Sequence, residues 1–173
     1  MKLLSKSKKW LLPAVITLGV SISACSEKLQ TAEVGSTDKI EIEVFKSATC
    51  GCCNKWIDHM EESGYKVAAM NRTNLKSIKR KFGIAPNMAS CHTAITEDYV
   101  FEGHIPADII ARFLHEKPTD VIGLAVPGMP AGSPGMEVGE RHDSYDVLMI
   151  RKDGSTSVYA HVAEASVFHF KES

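Results

Sequence analysis

Thr49-Cys50-Gly51-Cys52-Cys53 is the stretch that decides how this chain is read. Before it, Ile40, Ile42 and Val44 alternate with polar residues, the period of a half-buried strand. After it, Cys53, Trp56, Ile57 and Met60 recur at the spacing of one helix face. The cysteines therefore sit at a strand-to-helix turn, where free backbone N–H groups and the positive end of the helix dipole stabilise thiolate. Cys50 and Cys53 form a C-x-x-C, which points to thiol–disulfide exchange. Cys50 and Cys52 form a C-x-C, which points to metal.

Toward the N-terminus the pattern is one of targeting. Lys2, Lys6, Lys8 and Lys9 precede an apolar run from Trp10 to Val20, followed by Ile22-Ser23-Ala24-Cys25. Charged, apolar and small-residue parts in that order are those of a secretory signal, and the run is too short for a permanent membrane span. Ile22-Ser23-Ala24-Cys25 also resembles the lipobox of bacterial lipoproteins. The resemblance implies a signal peptide over 1–24, lipidation of Cys25 and, with Ser26 rather than Asp after it, the outer membrane. The plainer alternative is cleavage after Ala24 with Cys25 unmodified. Residues 25–38 read as the lipidated N-terminus and a flexible tether, and 39–173 as a single domain. The formal net charge is −1 with no basic block, which argues against a nucleic-acid partner.

Outside the cytoplasm, cysteines often serve as structural disulfides. Apart from Cys25, the chain has Cys50, Cys52, Cys53 and Cys91. Bridges among neighbours this close are strained and close almost no loop, so they stabilise little. Clustered sulfur of this kind reads as chemistry.

The rest of the chain supplies the frame. The first helix is expected to end at Ser63 with Gly64 capping it. A strand follows over Lys66–Met70, then a helix carrying Leu75, Ile78 and Phe82 and closed by Gly83. Strands are expected over Cys91–Thr96 and Tyr99–Glu102, joined by a turn at Glu97-Asp98. Pro106 opens a third helix whose apolar face is Ile109, Ile110, Phe113 and Leu114, and Pro118 stops it. Beyond it, Val121–Val126, Tyr145–Ile150 and Ser157–Val162 read as strands, with a hairpin signal at Lys152-Asp153-Gly154. The order is that of an α/β protein and, with cysteines after the first strand, resembles the thioredoxin-like fold in its glutaredoxin form, here with a C-terminal β-rich extension. In that fold the segment entering the third strand faces the active-site cysteines and usually carries a cis-proline. The alignment places Ala89-Ser90-Cys91 there, making Cys91 a fourth sulfur.

Cys52 and Cys53 are adjacent on a helix, so their side chains diverge by about one hundred degrees. They are badly placed to chelate one small ion and better placed to bind different ions through a bridging sulfur. Copper(I) accepts low coordination and soft thiolate. Structural zinc commonly uses two separated C-x-x-C knuckles, absent here, and iron–sulfur spacings also differ. Zinc stays open at this level.

The motifs Lys46-Ser47-Ala48-Thr49-Cys50-Gly51-Cys52-Cys53-Asn54-Lys55-Trp56, Ser90-Cys91-His92-Thr93-Ala94, Tyr99-Val100-Phe101-Glu102-Gly103-His104-Ile105-Pro106-Ala107 and Gly123-Leu124-Ala125-Val126-Pro127-Gly128-Met129-Pro130 resemble the CopG-type copper-resistance family of bacterial envelope proteins. The resemblance implies a thioredoxin-like domain binding copper through Cys50, Cys52, Cys53 and Cys91, and a role in copper tolerance. Sequestration of copper(I) in a polynuclear thiolate site is the expected function, with cycling between copper(I) and copper(II) as a further activity. The expected partners are copper ions, other envelope copper-handling proteins and, through the lipid anchor, the membrane. The alternative is a thiol–disulfide oxidoreductase using Cys50 and Cys53.

Met129 and Met136, in a Pro/Gly loop, are further ligand candidates because thioether suits copper(I). His92 is another, although strand neighbours of Cys91 are expected to point to the opposite face. His104 is read as satisfying free amides at a helix start, and His59 as solvated. His115, His142, His161 and His169 carry no assigned role.

Overall fold

The structure is a computed structural model describing residues 39–163 and the strand 168–170. The signal peptide expected over 1–24, the lipidated Cys25 and the tether over 25–38 lie outside the described residues. Among the described residues, no helix is long and apolar enough to cross a membrane.

The strand β1 (Glu41–Lys46) buries Ile42 and Val44 and exposes Glu41 and Glu43, as its alternation requires. It delivers the chain to helix α1 (Gly51–Glu62), whose buried Cys53, Trp56 and Met60 lie on one face. The helix ends where the sequence signals it. The Tyr65 amide donates to the Met60 carbonyl and the Gly64 amide to the Glu61 carbonyl, with Gly64 at φ +94°. This pair of bonds needs a left-handed residue between them, which glycine adopts without a Cβ penalty.

Strand β2 (Lys66–Asn71) pairs parallel to β1. Helix α2 (Leu75–Lys81) starts at Asn74, whose side chain accepts from the Ser77 amide at 3.1 Å. A 3₁₀ turn over Pro86–Met88 then leads to β3 (Thr93–Thr96), β4 (Tyr99–Glu102), α3 (Ala107–Glu116) and β5 (Val121–Ala125). Pro106 is the residue before the first turn of α3 rather than within it, and Lys117 ends that helix in the left-handed region ahead of Pro118. Strands β6 (Tyr145–Arg151) and β7 (Thr156–Val162) form the expected hairpin. A short strand, β8 (Phe168–Phe170), was not signalled by the sequence.

The eight strands among the described residues form one sheet in the order β2-β1-β3-β4-β5-β6-β7-β8. The β1–β2 and β4–β5 pairs are parallel and the others antiparallel. The expected β-rich extension is thus a continuation of the same sheet. Adjacent residues Val100 and Phe101 of β4 join different apolar clusters, as the pleat dictates. Phe101 packs with Ile42, Val44, Trp56, Met60 and the α3 residues Ile109, Ile110 and Phe113. Val100 packs with Ile84, Met88, Ala125 and Ile150, beside Phe82 at the end of α2. Trp56 is fully buried, and its Nε1–H donates to the Ile105 carbonyl at 2.9 Å. That bond, with burial worth about 2–3 kcal/mol for a large apolar side chain, ties α1 to the segment entering α3.

A candidate metal centre of four sulfurs and two histidines

Cys50 is the residue preceding the first turn of α1 and makes no side-chain capping bond. Cys52 is half-buried and Cys53 fully buried on the next two positions. Cys91 arrives from the other side, on the turn before β3. Its Sγ lies 3.5 Å from that of Cys53 and 3.9 Å from that of Cys52, and Cys52 Sγ lies 3.5 Å from that of Cys50. Donor atoms of all four cysteines fall within 4.8 Å of one another, a grouping that could hold a metal ion. Cys50 and Cys53 are joined by a disulfide, and Cys52 and Cys91 are free thiols.

A buried charge pair holds the Cys91 turn in place. Glu102, fully buried, accepts from the Ser90 amide (2.6 Å) through one oxygen and from the Thr93 hydroxyl (2.7 Å) through the other. Lys79 of α2 donates to the Glu102 carboxylate and to Thr93 Oγ1. One carboxylate therefore clamps the chain on both sides of Cys91 and His92. Burial raises the Glu102 pKa, while Lys79, the Ser90 amide and Thr93 pull it back. Nothing in the sequence marks Lys79 and Glu102 as partners. The one sequence signal is a charged residue two places after Val100, hence on the same inward side of β4.

The loop between β5 and β6 closes the site through its backbone. The Gly128 amide donates to the Ala89 carbonyl, and the Ser90 hydroxyl donates to the Gly128 carbonyl. Gly135 lies so close to α1 that a Cβ would stand 2.7 Å from the Cys52 carbonyl oxygen and 2.8 Å from the Trp56 amide. With φ at +83° the position admits glycine and little else. Met129 is 52% exposed and Met136 half-buried on this loop.

Three histidine expectations are corrected. Cys91 and His92 precede β3, which begins at Thr93 rather than Cys91, so strand alternation does not separate them. His92 Nδ1 is 3.3 Å from Cys91 Sγ. The amide at the start of α3 is satisfied not by His104 but by His59, whose Nε2 accepts from Ala107 N–H at 3.1 Å. His59 is accordingly half-buried rather than solvated, and burial lowers its pKa. His104 is fully buried. Its Nδ1–H donates to the Pro134 carbonyl at 2.7 Å, and its Nε2 lies 2.9 Å from Cys91 Sγ. A carbonyl only accepts, so the proton sits on Nδ1 and the Nε2 lone pair faces the sulfur. Burial holds both imidazoles below the usual histidine range. His115, His142 and His161 are exposed, and the side chain of His169 lies outside the described residues.

Burial first, and the neighbouring Cys52 second, pushes the Cys91 thiol up to about 12. At neutral pH it carries a proton that any metal must displace. Below that pKa, metal affinity rises as pH rises. Apparent affinity is expected to increase by at least about tenfold per pH unit between about pH 6 and pH 8. Competition titrations at several pH values check this, and a flat profile would mean that Cys91 is not a ligand.

A mixed α/β fold presenting four clustered cysteines and two buried histidines is that of a metal-binding protein. Two solved structures, titled "Copper resistance protein copG- Form 2" and "Copper resistance protein copG- Form 1", are each 40% identical to this chain. The first match covers 73% of this chain and 100% of that one at a TM-score of 0.69, the second 72% and 98% at 0.67. Residues 88–136, which contain Cys91, Glu102 and His104, match the family described as "Protein of unknown function, DUF411". No curated protein matches the chain. The chain belongs to the CopG-type copper-resistance family.

Proposed function

We propose that this protein binds copper(I) in the bacterial envelope, as a polynuclear thiolate cluster on Cys50, Cys52, Cys53 and Cys91, and so confers copper tolerance. The observation that carries the reading is the convergence of four sulfurs within 4.8 Å, in a chain similar to proteins titled as copper resistance proteins. Cys91 Sγ approaches the sulfurs of both Cys52 and Cys53, a position from which it can share ions held by either. Copper(I) tolerates the low coordination such bridging leaves. Loading requires the Cys50–Cys53 disulfide to take up two electrons and two protons from a dithiol donor, giving two thiols that then lose their protons to metal. Sequestration is the role we assign, with copper(I)/copper(II) cycling as its extension and other envelope copper-handling proteins as partners.

We read the first half of the domain as thioredoxin-like. Supporting this are the parallel β1–β2 pair, the β3–β4 hairpin beside β1, and the cysteine motif opening α1. A thiol–disulfide oxidoreductase is the second reading, favoured by the Cys50–Cys53 disulfide itself.

Copper(I) added under reducing conditions should raise the melting temperature. A ligand at one hundred times its dissociation constant stabilises the native state by about 2.7 kcal/mol. Zinc should stabilise less, and equal or greater stabilisation by zinc would overturn the choice of metal. We also propose anchoring through Cys25 to the outer membrane. Cys25→Ser should then move the protein to the soluble envelope fraction, and unchanged fractionation would exclude the anchor.

A further inference from the structure

The formal net charge of −1 hides a local surplus of positive charge. Residues 64–96 carry six Lys or Arg and no Asp or Glu. Two of the six are neutralised in place, Lys66 by Glu41 and Lys79 by Glu102. Arg72, Lys76, Arg80 and Lys81 are exposed and have no ion pair among the described residues. We propose that this basic face, which borders the Cys50–Cys53 disulfide, docks an acidic segment of the protein dithiol that reduces it. The inference rests on the reading above that the disulfide is reduced before copper is loaded, and adds the surface on which the donor sits.

The cations gather beside the cysteines because β1 and β2 end side by side. Lys46 pairs with Asn71, and the Arg72 amide donates to the Lys46 carbonyl at 2.8 Å. Arg72 thereby stands against Ser47 and Ala48, which lead into Thr49 and Cys50. A groove of about 590 Å³ opens there, with Ser47, Ala48, Arg72, Asn74 and Lys76 in its lining. Lys76 and Arg80 are one turn apart on α2 and share a face. Two aromatic rings continue the surface. Arg72 lies over the Phe45 ring at 5.7 Å, Phe45 lies 6.2 Å from Phe82, and Lys81 lies over the Phe82 ring at 5.1 Å. The rings hold these two cations without neutralising them.

From Arg72 at the groove to Lys81, the positive surface runs the whole of α2, seven residues or about 10 Å of helix. That is the reach of several carboxylates along a polypeptide rather than of one small anion. An anionic lipid surface offers the same charge but no electrons, so the place of the groove against the disulfide favours a reductant. Cys50 is half-buried and Cys53 fully buried, so an incoming thiolate reaches Cys50. The donor thiolate attacks Cys50 Sγ, a mixed disulfide forms, and Cys53 leaves as a thiolate. The donor's second thiolate then attacks the donor sulfur of that mixed disulfide, which frees Cys50 and closes the donor's own disulfide. Two electrons and the two protons of the donor thiols pass to this chain.

The test measures how fast the oxidised chain is reduced, by alkylation and mass spectrometry, without copper. Two synthetic peptides carry the same Cys-x-x-Cys dithiol, one flanked by glutamates and the other by glutamines. At low ionic strength the glutamate peptide should reduce the wild type at least about tenfold faster, the lower end of electrostatic steering. The advantage should vanish by about 0.5 M salt. Arg72→Gln with Lys76→Gln should remove it. So should Lys76→Gln with Arg80→Gln, two side chains with no bond to the rest of the fold among the described residues. Lys117→Gln with Arg151→Gln, an equal loss of charge outside this face, should keep it. Dithiothreitol, a neutral dithiol, should reduce all four chains at similar rates, which separates lost docking from a disturbed disulfide. Equal rates for the two peptides on the wild type, an advantage that survives both α2 variants, or one equally lost in the Lys117 and Arg151 variant would each overturn the docking face. So would binding to phosphatidylglycerol vesicles that depends on Arg72 and Lys76 with no glutamate advantage, which would make the face a lipid contact. Failure of the reduced chain to bind copper would instead sink the copper reading and leave these rates as they are.

Discussion

Cys91→Ser is expected to abolish most copper binding by the reduced protein and all copper tolerance in cells, while the chain stays folded by circular dichroism. The geometry makes Cys91 the common neighbour of the site: its sulfur meets Cys52, Cys53, His92 and His104. Serine keeps the shape but offers a hard oxygen that copper(I) binds poorly. Losing a bridge disperses a polynuclear site rather than weakening it slightly. The fold should survive because the turn is held by Ser90, Thr93 and Glu102, none of which bonds the sulfur. His92→Ala should cost the reduced chain less copper than Cys91→Ser does. The same variant separates the two leading functions, because attack and resolution in a disulfide exchange need only Cys50 and Cys53. Full copper loading and tolerance in Cys91→Ser, with most of the reductase activity retained, would put disulfide exchange in first place.

Glu102→Ala is expected to be the most damaging single change outside the sulfurs. It strands the Lys79 ammonium, whose remaining bond is to Thr93, and leaves the Ser90 amide without its carboxylate. Breaking a buried ion pair by removing one partner typically costs about 3–5 kcal/mol, a large part of a domain's stability. Replacing both partners by apolar residues, Lys79→Met with Glu102→Leu, should recover much of that stability, since no charge is left unpaired. It should not recover copper affinity, because the Ser90–Thr93 clamp on Cys91 is still gone. Urea unfolding and copper titration of the three chains test both statements. Equal copper affinity in the double variant and the wild type would show that Glu102 stabilises the fold without positioning Cys91.

How far the sequence reaches can be judged from these same residues. The strand before Cys50, the helix after it and the stop at Gly64 depend on contacts a few residues apart, and their signals are alternation, one-face periodicity and a capping glycine. Each element reappears within a residue or two of its expected bounds. Three of the four cysteines are likewise legible, because a strand-to-helix turn puts them together by itself. The fourth was placed by resemblance to a fold, and the structure brings it to the same spot.

What the tertiary structure alone decided are the contacts between residues far apart in sequence. Lys79 and Glu102 look like ordinary surface charges until α2 and the inner side of β4 are packed together. His104 and His59 were given the wrong partners because the bond of His104 to Pro134 spans 30 positions and that of His59 to Ala107 spans 48. Alternation misled at His92 because it holds only inside a strand, and β3 starts one residue later. Local patterns carry the period of the backbone and the state of its ends. They carry no record of which buried donor meets which acceptor, since that pairing is set only when sheet order and helix faces are fixed, and here it brings two buried imidazoles to the Cys91 sulfur.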